Sequence, residues 1–207
     1  DKKNRPPLSP TSKCVVGVTG GIGSGKSFLL KLLKSFGFEV HQTDIIAKRL
    51  MLRDGAAFKK ISACFPNAVI KSGISLSKLK KIAFTDKTVF PKLGEILHPL
   101  VRIKQQELID KRTKSIAFEV PLLFENKREA YYDYIIAAVT SVKTQKNRTM
   151  LRKGMTISKL DVILSKQSTN KHRRAKADFI VDTSGTKEST KSCLRKIINV
   201  PTKRNRT

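Results

Sequence analysis

The stretch "GVTGGIGSGKSF", residues 17–28, holds five glycines, one lysine and no acidic residue. Glycine lets a backbone approach a ligand closely and adopt conformations that other residues avoid. A lone lysine in such a loop favours an anion as the ligand. Residues 20–27 fit G-x-x-x-x-G-K-[ST], in which backbone N–H groups cradle phosphates, the lysine reaches the β- and γ-phosphates and the last hydroxyl ligates Mg²⁺.

The residues around this loop give the pattern its meaning. "CVVGVT" before it is a short apolar run typical of a buried strand, and "KSFLLKLLKSF" after it has helical spacing, with Gly37 placed to end the helix. Strand, glycine loop and helix together predict a site for a nucleoside triphosphate, with Ser27 as the Mg²⁺ ligand. The residues predicted to bind the triphosphate are Gly21, Ile22, Gly23, Ser24, Gly25, Lys26, Ser27 and Phe28.

The rest of the chain alternates between strand and helix patterns. Further short strands are predicted at "FEVHQT", "SIAFEV", "YIIAAV" and "DFIVD", and the pattern is helical from Asp44 to about Arg112. Such alternation predicts an α/β fold with a five-stranded parallel sheet flanked by helices and a helical insert after the second strand. The insert is too long and too apolar to be a mere connection. We expect it to bind a substrate larger than a nucleoside monophosphate.

Charge and cysteine content narrow the class of protein. The 43 Lys and Arg against 16 Asp and Glu give a net charge of +27, but the lysines are scattered over several segments. We therefore expect no specific nucleic acid partner. No apolar run is long enough to cross a membrane, the N-terminal stretch lacks the apolar region of a secretory signal, and the three separated cysteines favour reduced thiols in the cytoplasm.

Six motifs resemble one enzyme family in order and spacing. "VGVTGGIGSGKS", "TDIIAKRL", "LHPLVR", "VPLLFE", "RTMLRKGMT" and "KADFIVDTSG" are similar to the motifs of dephospho-coenzyme A kinases, within the P-loop kinase superfamily. The resemblance implies transfer of the γ-phosphate of ATP, with Mg²⁺, to the 3′-hydroxyl of dephospho-coenzyme A, the last step of coenzyme A synthesis. Another small-molecule or nucleoside monophosphate kinase is the alternative, and a nucleotide-dependent nucleic-acid-binding protein is the non-enzyme alternative.

The resemblance also implies a division of the chain. It gives a P-loop kinase core, a helical acceptor-binding domain and a small lid. The predicted segments are a flexible tail over 1–13, a nucleotide-binding core over 14–44, 115–145 and 176–200, the acceptor-binding domain over 45–114, the lid over 146–175 and a basic tail over 201–207.

Asp44 follows the second strand at the edge of the sheet where α/β proteins bind ligands. It could cap the helix that follows, or it could accept the proton of the acceptor hydroxyl. The resemblance favours the catalytic role, because Asp44 matches the second aspartate of the family pattern D-x-D-I-I-A-R. Gln42 replaces the first aspartate and Lys48 the arginine, and Lys48 is predicted to contact the acceptor.

Two further motifs carry polar side chains. Glu119 ends the third predicted strand, where a carboxylate can lie near the metal, and we also place it among the acceptor contacts. Glu125 is either a solvated loop acid or part of the site. His98 and Pro99 match a family motif between two helices. Pro99 is predicted to start a helix, with His98 as an acceptor contact.

Several arginines are candidates for the lid. Arg148 and Arg152 are spaced four residues apart on one predicted helix, so they are expected to share a face. The resemblance implies that Arg148, Arg152 and Arg173 bind ATP and that Arg148 neutralises charge on the transferred group. The alternative is a solvated cationic surface. Thr183 stands where the family usually has asparagine near adenine, so we expect looser discrimination of the base.

Overall fold

The computed structural model describes residues 6–198, which form two compact units. One unit comprises the chain up to His41 and from Arg112 onward, and the other is Gln42–Lys111. The predicted basic tail at 201–207 lies outside the described residues. The elements are β1 (Val15–Gly20), α1 (Lys26–Ser35), β2 (Glu39–Gln42), α2 (Thr43–Leu50), α3 (Phe58–Cys64), β3 (Val69–Ile70), β4 (Gly73–Ile74), α4 (Leu76–Thr85), α5 (Val89–Asp110), β5 (Ile116–Glu119), β6 (Tyr134–Val139), α6 (Val142–Met150), α7 (Ile157–Ser165), α8 (Asn170–Lys176), β7 (Phe179–Asp182) and α9 (Lys187–Ile197).

A five-stranded sheet in the order β2-β5-β1-β6-β7 forms the centre of the first unit. Strand β1 lies in the middle and pairs in parallel with β5 and with β6, and β6 pairs in parallel with β7. Every residue of β1 and β5 is buried, as expected of apolar strands with helices on both faces. The predicted α/β fold and its five strands are confirmed.

Helix α1 carries the apolar face that the sequence predicts. Leu29 and Leu33 are fully buried in the core under β1. The helix ends where Gly37 adopts a φ of +97°. The Gly37 N–H donates to the Lys34 carbonyl at 3.0 Å and the Phe38 N–H donates to the Leu33 carbonyl at 3.1 Å, the paired bonds of a glycine-ended helix. Helix α1 therefore ends at the glycine that the sequence predicts, Gly37.

The expectation of a flexible tail over 1–13 is wrong for the described part of that segment. Leu8 and Ser9 are buried, and Leu8 belongs to the apolar core of the first unit. Ser115 donates its N–H to the Pro10 carbonyl at 2.8 Å and its hydroxyl to the Ser9 carbonyl. The buried Leu8 side chain and two hydrogen-bonded backbone carbonyls hold this stretch in place. The polar, proline-rich composition of the stretch gives no sign of these contacts.

The second unit has an apolar core of its own. Helix α5 contributes Val89, Leu93 and Leu97 to this core, and α2 packs against α5. A short antiparallel hairpin, β3–β4, joins α3 to α4. The sequence analysis did not predict this hairpin, because its strands are only two residues long and lie inside a strongly helical pattern.

Pro99 does not start a helix, so that prediction is wrong. It lies inside the single 22-residue helix α5. Proline there removes one helical hydrogen bond and crowds the preceding turn, at a cost of about 3 kcal/mol. The buried stripe Leu93, Leu97 and Val101 continues past Pro99 at four-residue spacing, so packing along the whole helix offsets that cost. Pro99 and Glu95 are exposed, so water can reach the carbonyl that Pro99 leaves without a donor.

The segment after β6 also differs from the prediction in one respect. Helix α6 ends at Met150, and Arg152 lies in the turn that follows. Arg148 and Arg152 therefore do not share a helix face. The turn contains Gly154, whose φ is +75°. The Arg152 N–H donates to the Thr149 carbonyl, three residues back, and not four residues back as in a continued α-helix.

Candidate phosphate-binding site

The loop between β1 and α1 is held by its own lysine. Lys26 Nζ donates to the Gly20 carbonyl at 2.8 Å and to the Gly21 carbonyl at 3.0 Å. Gly25 is the N-cap of α1 with a φ of +85°, a conformation that costs other residues free energy. The loop therefore leads directly into the N-terminus of a ten-residue helix, the arrangement that favours phosphate.

A pocket of about 330 Å³ opens beside the start of α1. It is lined by residues of the loop and α1, by one arginine of α6 and by the segment that joins β7 to α9. The lining residues are Gly25, Ser27, Phe28, Lys31, Arg148, Thr183, Gly185, Thr186, Lys187 and Thr190. With three cationic side chains and one aromatic ring, the pocket suits a planar base next to phosphates.

Arg148 is anchored at this pocket through Thr183. Its Nη1 donates to Thr183 Oγ1 at 3.1 Å and its Nη2 to the Thr183 carbonyl at 2.7 Å. Thr183 Oγ1 in turn donates to the Ser24 carbonyl of the loop at 2.8 Å, and Thr183 is only 2% exposed. The Thr183 hydroxyl is thus engaged with the protein itself. Thr183 lines the pocket, and its hydrogen-bond partners are the loop and an arginine.

Arg173 is the second guanidinium at the loop. It is 3% exposed, and a Cβ placed on Gly21 would lie 3.4 Å from its Nη1. Among residues 6–198 its Nε and Nη2 atoms have no hydrogen-bond partner. Nη2 lies 3.7 Å from Glu125 Oε1, too far for a hydrogen bond but close enough for an ion pair.

Burial and Glu125 act in opposite directions on Arg173. Burial lowers the pKa of the Arg173 guanidinium from its ordinary value, and the negative charge of Glu125 raises it in part. The Ser168 N–H donates to Glu125 Oε1 at 2.6 Å, which fixes the carboxylate. Glu125 is therefore held against Arg173 and Ser168 and is not a solvated loop acid. Two buried donor nitrogens without hydrogen-bond partners are costly, and an anionic group could accept from both.

Two glutamines contact the loop and were missed by the sequence analysis. Gln145 Nε2 donates to the Ile22 carbonyl at 2.8 Å, and Gln167 Oε1 accepts from the Ile22 N–H at 2.9 Å. Gln145 and Thr149 are the buried residues of α6, four positions apart in a helix that is otherwise mostly polar or cationic. That uncharged pair is the signal from which this side of the site could have been recognised.

The other predicted residues of the first unit differ in burial. Glu119 is 8% exposed at the end of β5, in register with Val18 of β1. Ser27 is exposed in the first turn of α1. Arg152 is exposed in the turn after α6, so the structure does not bring it to the loop through the helix that was expected to carry it.

The predicted acceptor residues Asp44, Lys48 and His98 lie in the second unit and are exposed. Gln42 is the N-cap of α2 and Asp44 is the only acidic residue of the first turn, so Asp44 does not cap this helix. Lys48 lies one turn further along α2. His98 packs its ring over Gly94 on α5, where an added Cβ would lie 3.2 Å from the ring.

The family comparison decides which phosphate-loop protein this is. The profile of a family described as dephospho-CoA kinase matches residues 14–189, which covers the loop, both arginines and Asp44. The chain belongs to the dephospho-CoA kinase family. The sequence resemblance is thereby confirmed.

Individual members of this family agree. The dephospho-CoA kinase of Rhizobium meliloti is 35% identical over 89% of this chain and 96% of its own length. The dephospho-CoA kinase structure from Campylobacter jejuni has a TM-score of 0.59 and 25% identity, over 88% of this chain and 95% of that one. The Thermus thermophilus structure TT1252 has a TM-score of 0.77 and 25% identity, over 91% and 95%. The similarity therefore extends over about nine-tenths of this chain and is not confined to the loop.

The described residues show neither a membrane-spanning helix nor a cluster of metal-binding side chains. No helix within residues 6–198 is both long and apolar enough to cross a membrane. The same described residues contain no cluster of three or more His, Cys, Asp or Glu side chains with metal-site geometry. Cys14, Cys64 and Cys193 are free, and burial raises the pKa of the Cys14 thiol.

Proposed function

We propose that this protein transfers the γ-phosphoryl group of ATP to the 3′-hydroxyl of dephospho-coenzyme A, giving coenzyme A and ADP. Membership of the dephospho-CoA kinase family supports the reaction. The observation that carries the proposal is the pair of guanidinium groups, Arg148 and Arg173, held against a lysine-containing phosphate loop. Loop, helix N-terminus and two arginines form a cationic site suited to the charge of a triphosphate.

ATP binding falls to the first unit in this proposal. The loop from Gly21 to Phe28 supplies backbone N–H groups, and Lys26 supplies a point charge on the β- and γ-phosphates. Arg173 gains anionic partners for its buried Nε and Nη2 groups, and Arg148 stabilises charge on the transferred group. Arg152 is exposed in the turn after α6, so its proposed contact with the triphosphate would be made from that turn. The segment 146–175 acts as the lid.

Acceptor binding and deprotonation are proposed for the second unit. Asp44 accepts the proton of the 3′-hydroxyl and orients its oxygen for in-line attack. The support is that Asp44 is exposed and is not used to cap α2. Lys48 and His98 are the other acceptor contacts proposed in this unit, and Glu119 is the one proposed in the first unit. An exposed lysine and histidine suit an acceptor that carries phosphates of its own.

Mg²⁺ belongs to the proposal as the partner of ATP. The Ser27 hydroxyl would ligate it, and the Glu119 carboxylate ends the strand next to β1, which leads into the loop. Hydroxyl and carboxylate oxygens are ligands that Mg²⁺ prefers, so these residues fit the ion. When bound, it neutralises charge on the β- and γ-phosphates. We further propose that the enzyme works in the cytoplasm, as its separated cysteines favour.

A panel of acceptors tests the proposal. The protein is incubated with ATP and Mg²⁺ and, in turn, dephospho-coenzyme A, AMP, UMP, thymidylate and shikimate, and ADP release is followed. We expect rapid release only with dephospho-coenzyme A, and a product that carries one additional phosphoryl group on the 3′-oxygen. Faster phosphorylation of a nucleoside monophosphate would overturn the assignment and support the alternative kinase.

A further inference from the structure

One residue of the phosphate loop, Ile22, is held through both of its backbone polar groups by two side chains from outside the loop. The carbonyl of Ile22 accepts from Gln145 Nε2 at 2.8 Å, and the N–H of Ile22 donates to Gln167 Oε1 at 2.9 Å. Ile22 is the third residue of the pattern at 20–27, so both bonds act at the tip of the loop. The reaction as proposed above gives neither glutamine a role.

The neighbouring glycine shows how closely the two amides approach. A Cβ on Gly21 would lie 2.7 Å from Gln145 Nε2 and 3.4 Å from Gln167 Oε1. The first distance is shorter than real Cβ contacts, so any side chain at position 21 would displace Gln145. The glycine at this position is therefore explained by the glutamines, independently of any nucleotide.

The two glutamines reach Ile22 from different parts of the chain. Gln145 is buried in α6, and Gln167 is half-buried in the turn between α7 and α8. Both lie in the sequence that follows β6, more than 120 residues beyond Ile22. The loop tip is thus fixed by long-range contacts and not by its own sequence. The Ile22 N–H donates to Gln167. Its role therefore differs from that of the N–H groups later in the loop, which are proposed to bind phosphate.

We infer that Gln145 and Gln167 are positioning residues that fix the two peptide groups flanking Ile22 so that the following N–H groups face the phosphates. A loop with this many glycines has many conformations to lose on binding, and bonds on both sides of one residue remove part of that freedom beforehand. A site organised in advance binds its ligand more tightly. The inference rests on the proposed binding of ATP by this loop.

Two matched substitutions test the direction of each bond. Gln145→Glu and Gln167→Glu preserve size, and each adds one negative charge beside the backbone of the same residue, Ile22. The carboxylate at 167 still accepts from the Ile22 N–H, whereas the carboxylate at 145 replaces a donor and faces the Ile22 carbonyl oxygen. We expect Gln145→Glu to raise the Kd of ATP about tenfold more than Gln167→Glu, the effect of losing a buried hydrogen bond.

The affinity is measured by titration with ATP and Mg²⁺ without acceptor, beside the wild-type protein. Equal weakening by both substitutions would show charge repulsion alone and overturn the inference, as would unchanged affinity in both. Wild-type affinity in the same titration tests ATP binding by itself, so the proposed function is judged separately.

An alanine cycle covers the case in which Gln145→Glu does not fold. Gln145→Ala and Gln167→Ala are each expected to weaken ATP binding about fivefold. Because both side chains hold the backbone of one residue, the double variant should lose less affinity than the product of the two single effects. A product of independent effects, or lower melting temperatures with unchanged ATP affinity, would overturn the positioning role.

Discussion

The buried side chains that surround the phosphate loop and the acceptor residues of the second unit differ in their exposure to solvent. In the first unit Arg173, Thr183 and Gln145 are buried, and each contacts the phosphate loop or a residue bonded to it. In the second unit Asp44 and Lys48 are exposed on the surface of α2. Substitutions in the first region should therefore alter ATP affinity together with the fold around the loop. Substitutions in the second region should alter turnover alone.

The largest effect that would sharpen this contrast is expected at Lys26. Lys26→Ala removes the only loop cation and its bonds to the Gly20 and Gly21 carbonyls, so both ATP affinity and transfer should suffer. We expect kcat/KM to fall by about 10²–10³-fold, the scale of losing one charge-stabilising group. The measurement is steady-state ADP release. Lys34→Ala, in the last turn of the same helix, is the control and should stay within about twofold.

Asp44→Asn tests the second region and should affect chemistry only. Turnover is expected to fall about 10²-fold, because the base is lost, while the Kd of ATP stays unchanged. Asp44 is in the first turn of α2 but is not its cap, so loss of its charge should lower the melting temperature by no more than about 2–4 °C. Near-normal turnover would break the contrast and leave Asp44 with a purely electrostatic role in the helix.

The next effect concerns two adjacent arginines with opposite exposure. Arg173→Met should raise the KM for ATP about tenfold, because it removes the buried cation beside the loop. The melting temperature should fall as well, because Glu125 loses its ion-pair partner. Arg174→Met is the matched control. Arg174 is about half exposed and 3.5 Å from Asp182, and such surface pairs contribute little. If the two substitutions change KM equally, burial beside the loop is not what makes Arg173 functional.

The smallest expected effect is at Thr183. Thr183→Ala removes the hydroxyl that joins Arg148 to the Ser24 carbonyl, and we expect ATP affinity to fall about threefold to tenfold. Thr183→Ser keeps the hydroxyl and should retain most of the affinity. Isothermal titration with ATP separates the two variants. An equal loss in both would assign the role of Thr183 to packing of its methyl group.

The sheet and the loop could be predicted because their signals are local. A buried β-branched run, a glycine loop and an amphipathic helix follow one another without interruption, and each is typical of one structure. The family profile then fixed the substrate class, since it covers the chain over 14–189. The same reasoning placed Gly37 at the end of α1 correctly.

The features that sequence reasoning missed depend on contacts between distant residues. Gln145 and Gln167 look like ordinary surface residues until they are seen on Ile22. Leu8 was assigned to a tail because a single apolar residue gives no periodic signal. Arg152 was assigned to α6 because helix ends are the least certain part of any pattern. In each case packing decided what local propensity left open.

Pro99 has a consequence for amide hydrogen exchange. It carries no N–H, so the Glu95 carbonyl has no donor within the helix, and the hydrogen-bond ladder of α5 is interrupted near its middle on the exposed side. Local opening requires the least free energy where a bond is already missing. The Leu100 amide, just after Pro99, should exchange with solvent faster than the amides of Leu93 and Leu97 on the buried stripe. The longest helix of the described chain would then open from its centre as well as from its ends.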